Sequence, residues 1–126
     1  MTTLQNLATP VGRILLASVF LLSGMSKISA FTATQGYMES VGIPGVLLTP
    51  TIAFEIFAAI AIIVGAYART AALLLSGFSL MTAFVFHFNF ADQIQTIMFL
   101  KNISIAGGLL LLVASGSGAY SLSAQR

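Results

Sequence analysis

Glu55 is the residue in this sequence best placed to do chemistry, because it stands about eight residues inside an otherwise apolar stretch. A charge near the middle of a bilayer costs about 2.5–3.5 kcal/mol even on the lenient insertion scale, so this carboxylate needs a partner or a proton. Lys27, His87 and Lys101 are the candidate partners, each near one end of its own apolar stretch, and Asn102 and Ser104 add hydrogen-bonding groups. Two lysines against one glutamate leave a positive excess when all three are ionised. That balance suits an oxyanion or a quinone carbonyl better than a cation. The bland alternative is a buried ion-pair network that fixes helix order and nothing else. His87, between Phe86 and Phe88, reads equally as a proton carrier or as a satisfied histidine at the membrane interface. Arg13 and Arg69 are expected to contact lipid phosphates.

Other chemistries are excluded by composition. The chain has no cysteine and one histidine, which removes disulfides, thiolate metal sites, iron–sulfur clusters and a bis-histidine haem. No metal site and no covalently bound cofactor is expected, a quinone would fit, and no residue can be named as catalytic. With five basic and three acidic residues there is no phosphate-tracking patch, so nucleic acid is not a partner. Lacking a nucleotide-binding motif as well, the chain is not expected to work as a redox enzyme alone.

The elements that must position these residues are membrane spans. Of 126 residues 58% are hydrophobic and 6% charged, about a quarter of the charge density of a soluble domain. Crossing the hydrocarbon core takes about 20 mostly apolar residues, and the segments 11–30, 46–66, 70–90 and 96–115 meet that length. The expected fold is all-α: an integral membrane four-helix bundle, one domain over 1–126. The first segment is expected to be a retained span rather than a cleaved signal, since no side-chain positive charge precedes Arg13. Phe84, Phe86, Phe88 and Phe90 alternate as in a strand, but a lone strand cannot span lipid, so they are read as the end of the third span. Tyr67-Ala68-Arg69 is a tight turn between the second and third spans, and 89–93 another between the third and fourth. The stretch 31–45, with Gly36, Gly42, Pro44 and Gly45, is expected to lie along the interface as a short amphipathic turn.

Four spans put both termini on one side, with Arg13, Arg69 and Arg126; the other side pairs Lys27 and Lys101 with Glu39 and Asp92. The positive-inside rule therefore predicts cytoplasmic termini. At 3.6 residues per turn each span carries one small or polar stripe. These are Arg13-Ala17-Phe20-Gly24-Lys27, Thr51-Glu55-Ala58-Ile62-Gly65-Arg69, Ala72-Ser76-Ser79-Ala83-His87 and Lys101-Ser104-Gly108-Leu111-Ser115. All four are expected to face the bundle interior, because helices in lipid associate through small residues and interhelical hydrogen bonds.

Together these residues resemble the DoxX family of small bacterial and archaeal membrane proteins. The resemblance runs through Gly12-Arg13, Ser23-Gly24-Met25-Ser26-Lys27, Gly42-Ile43-Pro44, Glu55, Gly65, Arg69, His87, Lys101-Asn102 and Gly107-Gly108. It implies a multi-pass protein of the bacterial or archaeal plasma membrane, related to the small membrane subunit of thiosulfate:quinone oxidoreductase. Two functions follow as expectations. One is a non-autonomous subunit of a redox or sulfur/oxidative-stress assembly, holding a quinone head group or small oxyanion near Lys27, Glu55, His87, Lys101 and Asn102. The other is a small proton-coupled carrier, acting alone or as a homodimer.

Overall fold

The computed structural model describes residues 3–118 and 120–122. Five α-helices and one 3-10 turn follow one another: α1 (Thr3–Ser29), α2 (Phe31–Ser40), the 3-10 turn Gly45–Leu47, α3 (Leu48–Val64), α4 (Ala68–Phe86) and α5 (Gln93–Ser115). Among the described residues four helical segments are long and apolar enough to cross a membrane: Thr3–Ser29, Gly45–Val64, Ala68–Phe86 and Gln93–Ser115. Within these, 17–33% of the most apolar window is buried inside the chain, so most of the surface is left to lipid. Leu22, Phe57, Leu111 and many other large apolar side chains accordingly point outward.

The four spans do not pack evenly. The pairs α1–α3 and α4–α5 are closely apposed, α3–α4 joins them, α1 and α5 approach at few points, and the backbones of α3 and α5 stay apart. The core is correspondingly a seam of small residues. Ala17, Ala58, Ala59, Ala71 and Ala72 bring the backbones together, and Phe20, Ile62, Leu75 and Leu109 fill between them. At Gly24 α1 lies tightly against α3: a Cβ there would lie 2.7 Å from Ile56 Cγ1 and 3.5 Å from Glu55 Cβ.

Helix ends follow local chemistry. Asp92 caps α5, its Oδ1 accepting from the N–H groups of Ile94 at 2.9 Å and Gln95 at 3.4 Å. Gly42 and Gly65, at φ 85° and 78°, close α2 and α3 in Schellman motifs. In the first, Ile43 N donates to Met38 O at 2.9 Å, and in the second Ala66 N donates to Ala61 O at 2.9 Å.

Several features differ from the expectations: α1 begins at Thr3 instead of 11, and Ala68 and Arg69 already belong to α4, so the turn between the second and third spans ends at Tyr67. The stretch after α1 is a helix of its own, α2, held by Met38 packing on Leu48 and Ile52 and by Tyr37 stacking on Phe86 at 5.5 Å. The third span stops at Phe86 instead of 90, and Phe88 and Phe90 lie in the turn, where with Phe84 and Phe99 they form a cluster with ring centroids 5.0–5.9 Å apart. The stripe on α5 does not face the interior: Lys101, Ser104, Leu111 and Ser115 are exposed and Gly108 is half-buried. Because α5 meets only α4 closely, Ala106, Leu109 and Leu112 form its buried face. Most of the stripes on the other three spans are buried, with Lys27 and His87 half-buried at their ends and Arg69 exposed.

Candidate functional site

Position along α1 and α3 brings two opposite charges together. Lys27 lies in the last turn of α1, and Glu55 lies two turns into α3, which runs back antiparallel from the same end of the bundle. Lys27 Nζ donates to Glu55 Oε1 and, at 3.0 Å, to Ser23 Oγ one turn earlier on its own helix. Glu55 is 1% exposed, whereas the Lys27 side chain is 25% exposed, so the pair is closed on the glutamate side and open on the lysine side. A lysine carries three N–H donors, and these two bonds use two of them. The second carboxylate oxygen, Glu55 Oε2, is buried and has no hydrogen-bond partner. Leaving a buried acceptor unsatisfied ordinarily costs about 1–3 kcal/mol, more when it is charged. The pair therefore leaves one lysine N–H and one buried carboxylate oxygen without a hydrogen bond.

The remaining expected site residues lie elsewhere. His87 caps the end of α4, and its Nδ1 is 2.7 Å from Gln95 Oε1 of α5. Asn102 Nδ2 donates to Thr82 Oγ1 at 3.1 Å, again joining α5 to α4. Lys101 is exposed on α5, whose backbone stays apart from that of α3, and Glu55 pairs with Lys27 instead.

Arg69 is exposed in the first turn of α4, at the end of the bundle that carries α1's start. Arg13, expected at lipid phosphates, is instead 2% exposed. Its Nη2 donates to Tyr120 O at 2.8 Å and its Nη1 to Ile62 O at 3.4 Å, the carbonyls that the end of α3 and the segment after α5 present there. Leu122 N donates to Val64 O at 3.0 Å, so residues 120–122 lie back against that end of the bundle. Gly65 makes room: a Cβ on it would collide with Arg13 Nη1 and sit 2.8 Å from Ser121 Cα. The sequence offered one signal for this clamp, the recurrence of Arg13 and Gly65 at the ends of stripes that both face inward. Arg126 lies outside the described residues. Among the described residues no group of His, Asp and Glu could hold a metal ion.

Comparison with known proteins agrees with this architecture. The DoxX family model matches residues 8–88. The chain is 44% identical over 122 residues to the inner membrane protein YqjF of Escherichia coli (strain K12), covering 97% of this chain and 94% of that one. It is 38% identical over 119 residues to the inner membrane protein YphA of the same organism, covering 89% and 85%. No solved structure matches. With four spanning helices and relatives of this kind, the protein is a multi-pass inner-membrane protein, and it belongs to the DoxX family.

Proposed function

We propose that this chain is a non-autonomous membrane subunit of a redox or sulfur/oxidative-stress assembly, and that it holds a quinone head group at Lys27 and Glu55. The observation that carries the reading is the buried, unpartnered Glu55 Oε2 beside the partly exposed Lys27 ammonium. Lys27 would donate to a carbonyl oxygen of the oxidised head group. Glu55 Oε2 would accept from a hydroxyl of the reduced one and is the atom on which a proton would be held. A bound quinone supplies two-electron, two-proton redox chemistry, which no side chain here provides. The oxyanion alternative loses its argument, because Lys101 lies away from the pair and one lysine against one glutamate leaves no positive excess.

The test uses a short-chain benzoquinone and its hydroquinone as probes, with binding read by thermal shift of the purified protein in detergent. Both forms should stabilise the wild type. Glu55→Gln should weaken the hydroquinone by about tenfold or more, the value of one hydrogen bond to a charged acceptor, while the quinone changes less. Lys27→Met should weaken both. A wild type that binds neither form overturns the reading. The same unpartnered oxygen supports a second one, a proton-coupled carrier, which gains if liposomes holding only this protein take up a solute with protons and Glu55→Gln stops it.

A further inference from the structure

Glu55 Oε2 is buried as well as unpartnered, so a hydroxyl can reach it only after some part of the chain has moved. Glu55 stands seven residues after Leu48, the first residue of α3. Seven residues are almost two full turns, so Leu48 lies on the same face of α3, about 10 Å nearer the start of the helix. Leu48 is fully buried, and Ile52, between the two, nearly so. Met38 of α2 packs on both, with Phe31, Ile43, Ile56 and Phe86 around them. This apolar cluster is separate from the main core, and Glu55 falls where the two divide: Ile52 and Ile56 belong to the first, Ala58 and Ala59 to the second.

The helix that closes the cluster is lightly held. Met38 is the one buried residue of α2, and no side chain caps the start of the helix. Gln35 Nε2 donates to Gly45 O at 3.1 Å. Tyr37 stacks on Phe86 at 5.5 Å, and its hydroxyl donates to Phe86 O at 3.3 Å, which ties α2 to the end of α4. Bends flank the helix on both sides: Ala30 departs from helical geometry at φ −112° and ψ 41°, and Gly42 follows at φ 85°. Elements with few buried contacts are those that open locally while the rest of a protein stays folded.

We propose that α2 is a lid over Glu55, plugged by Met38 on Leu48 and Ile52 and latched by Tyr37 on Phe86, and that it lifts to admit the ligand to Oε2. What is admitted rests on the quinone reading, but access to Glu55 is measured with no quinone present, so the two fail separately.

The probe is a water-soluble carbodiimide, which modifies the carboxyl groups it can reach. It is applied to the purified chain in detergent, and modification is read residue by residue by mass spectrometry with the exposed Asp92 as internal reference. In the wild type Glu55 should react about a hundredfold more slowly than Asp92. Tyr37→Phe keeps the ring and loses one hydrogen bond, so it should speed Glu55 by about threefold to tenfold without changing Asp92. Tyr37→Ala, which loses the stack as well, should speed it further. Leu109→Ala opens a cavity in the main core instead and controls for general loosening. It should lower the melting temperature at least as much as Tyr37→Phe yet leave the Glu55 rate within about twofold of the wild type. The proposal is overturned by a wild-type Glu55 that reacts as fast as Asp92, by an unchanged rate in Tyr37→Phe, or by a rate in Leu109→Ala that rises as much as in Tyr37→Phe.

Discussion

At the scale of single residues, the Lys27–Glu55 contact makes a demand that can be measured. Removing one partner of a buried pair costs about 3–5 kcal/mol in soluble proteins, because the other charge is left without compensation. Hydrogen bonds between helices in bilayers average only about 0.6 kcal/mol in double-mutant cycles. Lys27 has one open side, so the expected loss for Glu55→Gln lies between these values, at roughly 1–3 kcal/mol. A thermal-unfolding cycle in detergent separates the pair from the lone residues. Lys27→Met combined with Glu55→Gln should recover part of the loss, with a coupling of about 1 kcal/mol or more, whereas Lys101→Met should add to Glu55→Gln within about 0.5 kcal/mol. Coupling of Glu55 to Lys101 instead of Lys27 would contradict the helix arrangement described above.

At the scale of elements, two glycines make opposite predictions. A Cβ at Gly24 would stand 2.7 Å from Ile56 Cγ1 on α3, so Gly24→Ala should destabilise by about 1–3 kcal/mol through overpacking. Gly107 has open space around it on the same kind of helix, so Gly107→Ala should be neutral or gain up to about 1 kcal/mol from the stiffer backbone. Melting temperatures of the two variants in one detergent decide the matter; equal losses would mean that α1 and α3 are not closely apposed.

Much of this layout was legible in the sequence. Glu55 and Lys27 sit on the inner stripes of adjacent antiparallel spans, and periodicity plus direction sufficed to place both near one end of the bundle. Periodicity says which residues of a helix share a face, but not which neighbour that face meets. Lys101 is the instructive case, since its stripe has the same composition as the buried ones yet the backbones of α3 and α5 stay apart. His87 and Asn102 were grouped with Glu55 by depth alone, and the structure spends them on Gln95 and Thr82 across the α4–α5 contact. The helix α2 was hidden by Gly36 in its middle and by its weak apolar face, which Met38 alone buries.

For the molecule as a whole, the remaining question is which end faces the cytoplasm. The start of α1, the α3–α4 turn and residues 120–122 gather at one end, tied by Arg13 to the carbonyls of Ile62 and Tyr120 and by Leu122 to Val64. The charges at that end are Arg13 and the exposed Arg69, with no acid among the described residues there, while Lys27 and Lys101 share the opposite end with Glu39 and Asp92. Arg13 is buried in the folded protein, but topology is set by positive charge near the span ends during insertion, so it still counts. The expected orientation has both termini in the cytoplasm, with the Lys27–Glu55 pair opening toward the opposite face of the membrane. A fluorescent protein fused after residue 126 should fold and fluoresce, and alkaline phosphatase fused at the same point should be inactive. Because the bias rests on so few charges, Arg69→Glu should shift part of the population to the inverted orientation, visible as phosphatase activity above the wild-type fusion. An active phosphatase on the wild-type chain would reverse the assignment. Lys27 and Glu55 would then exchange protons with the cytoplasm.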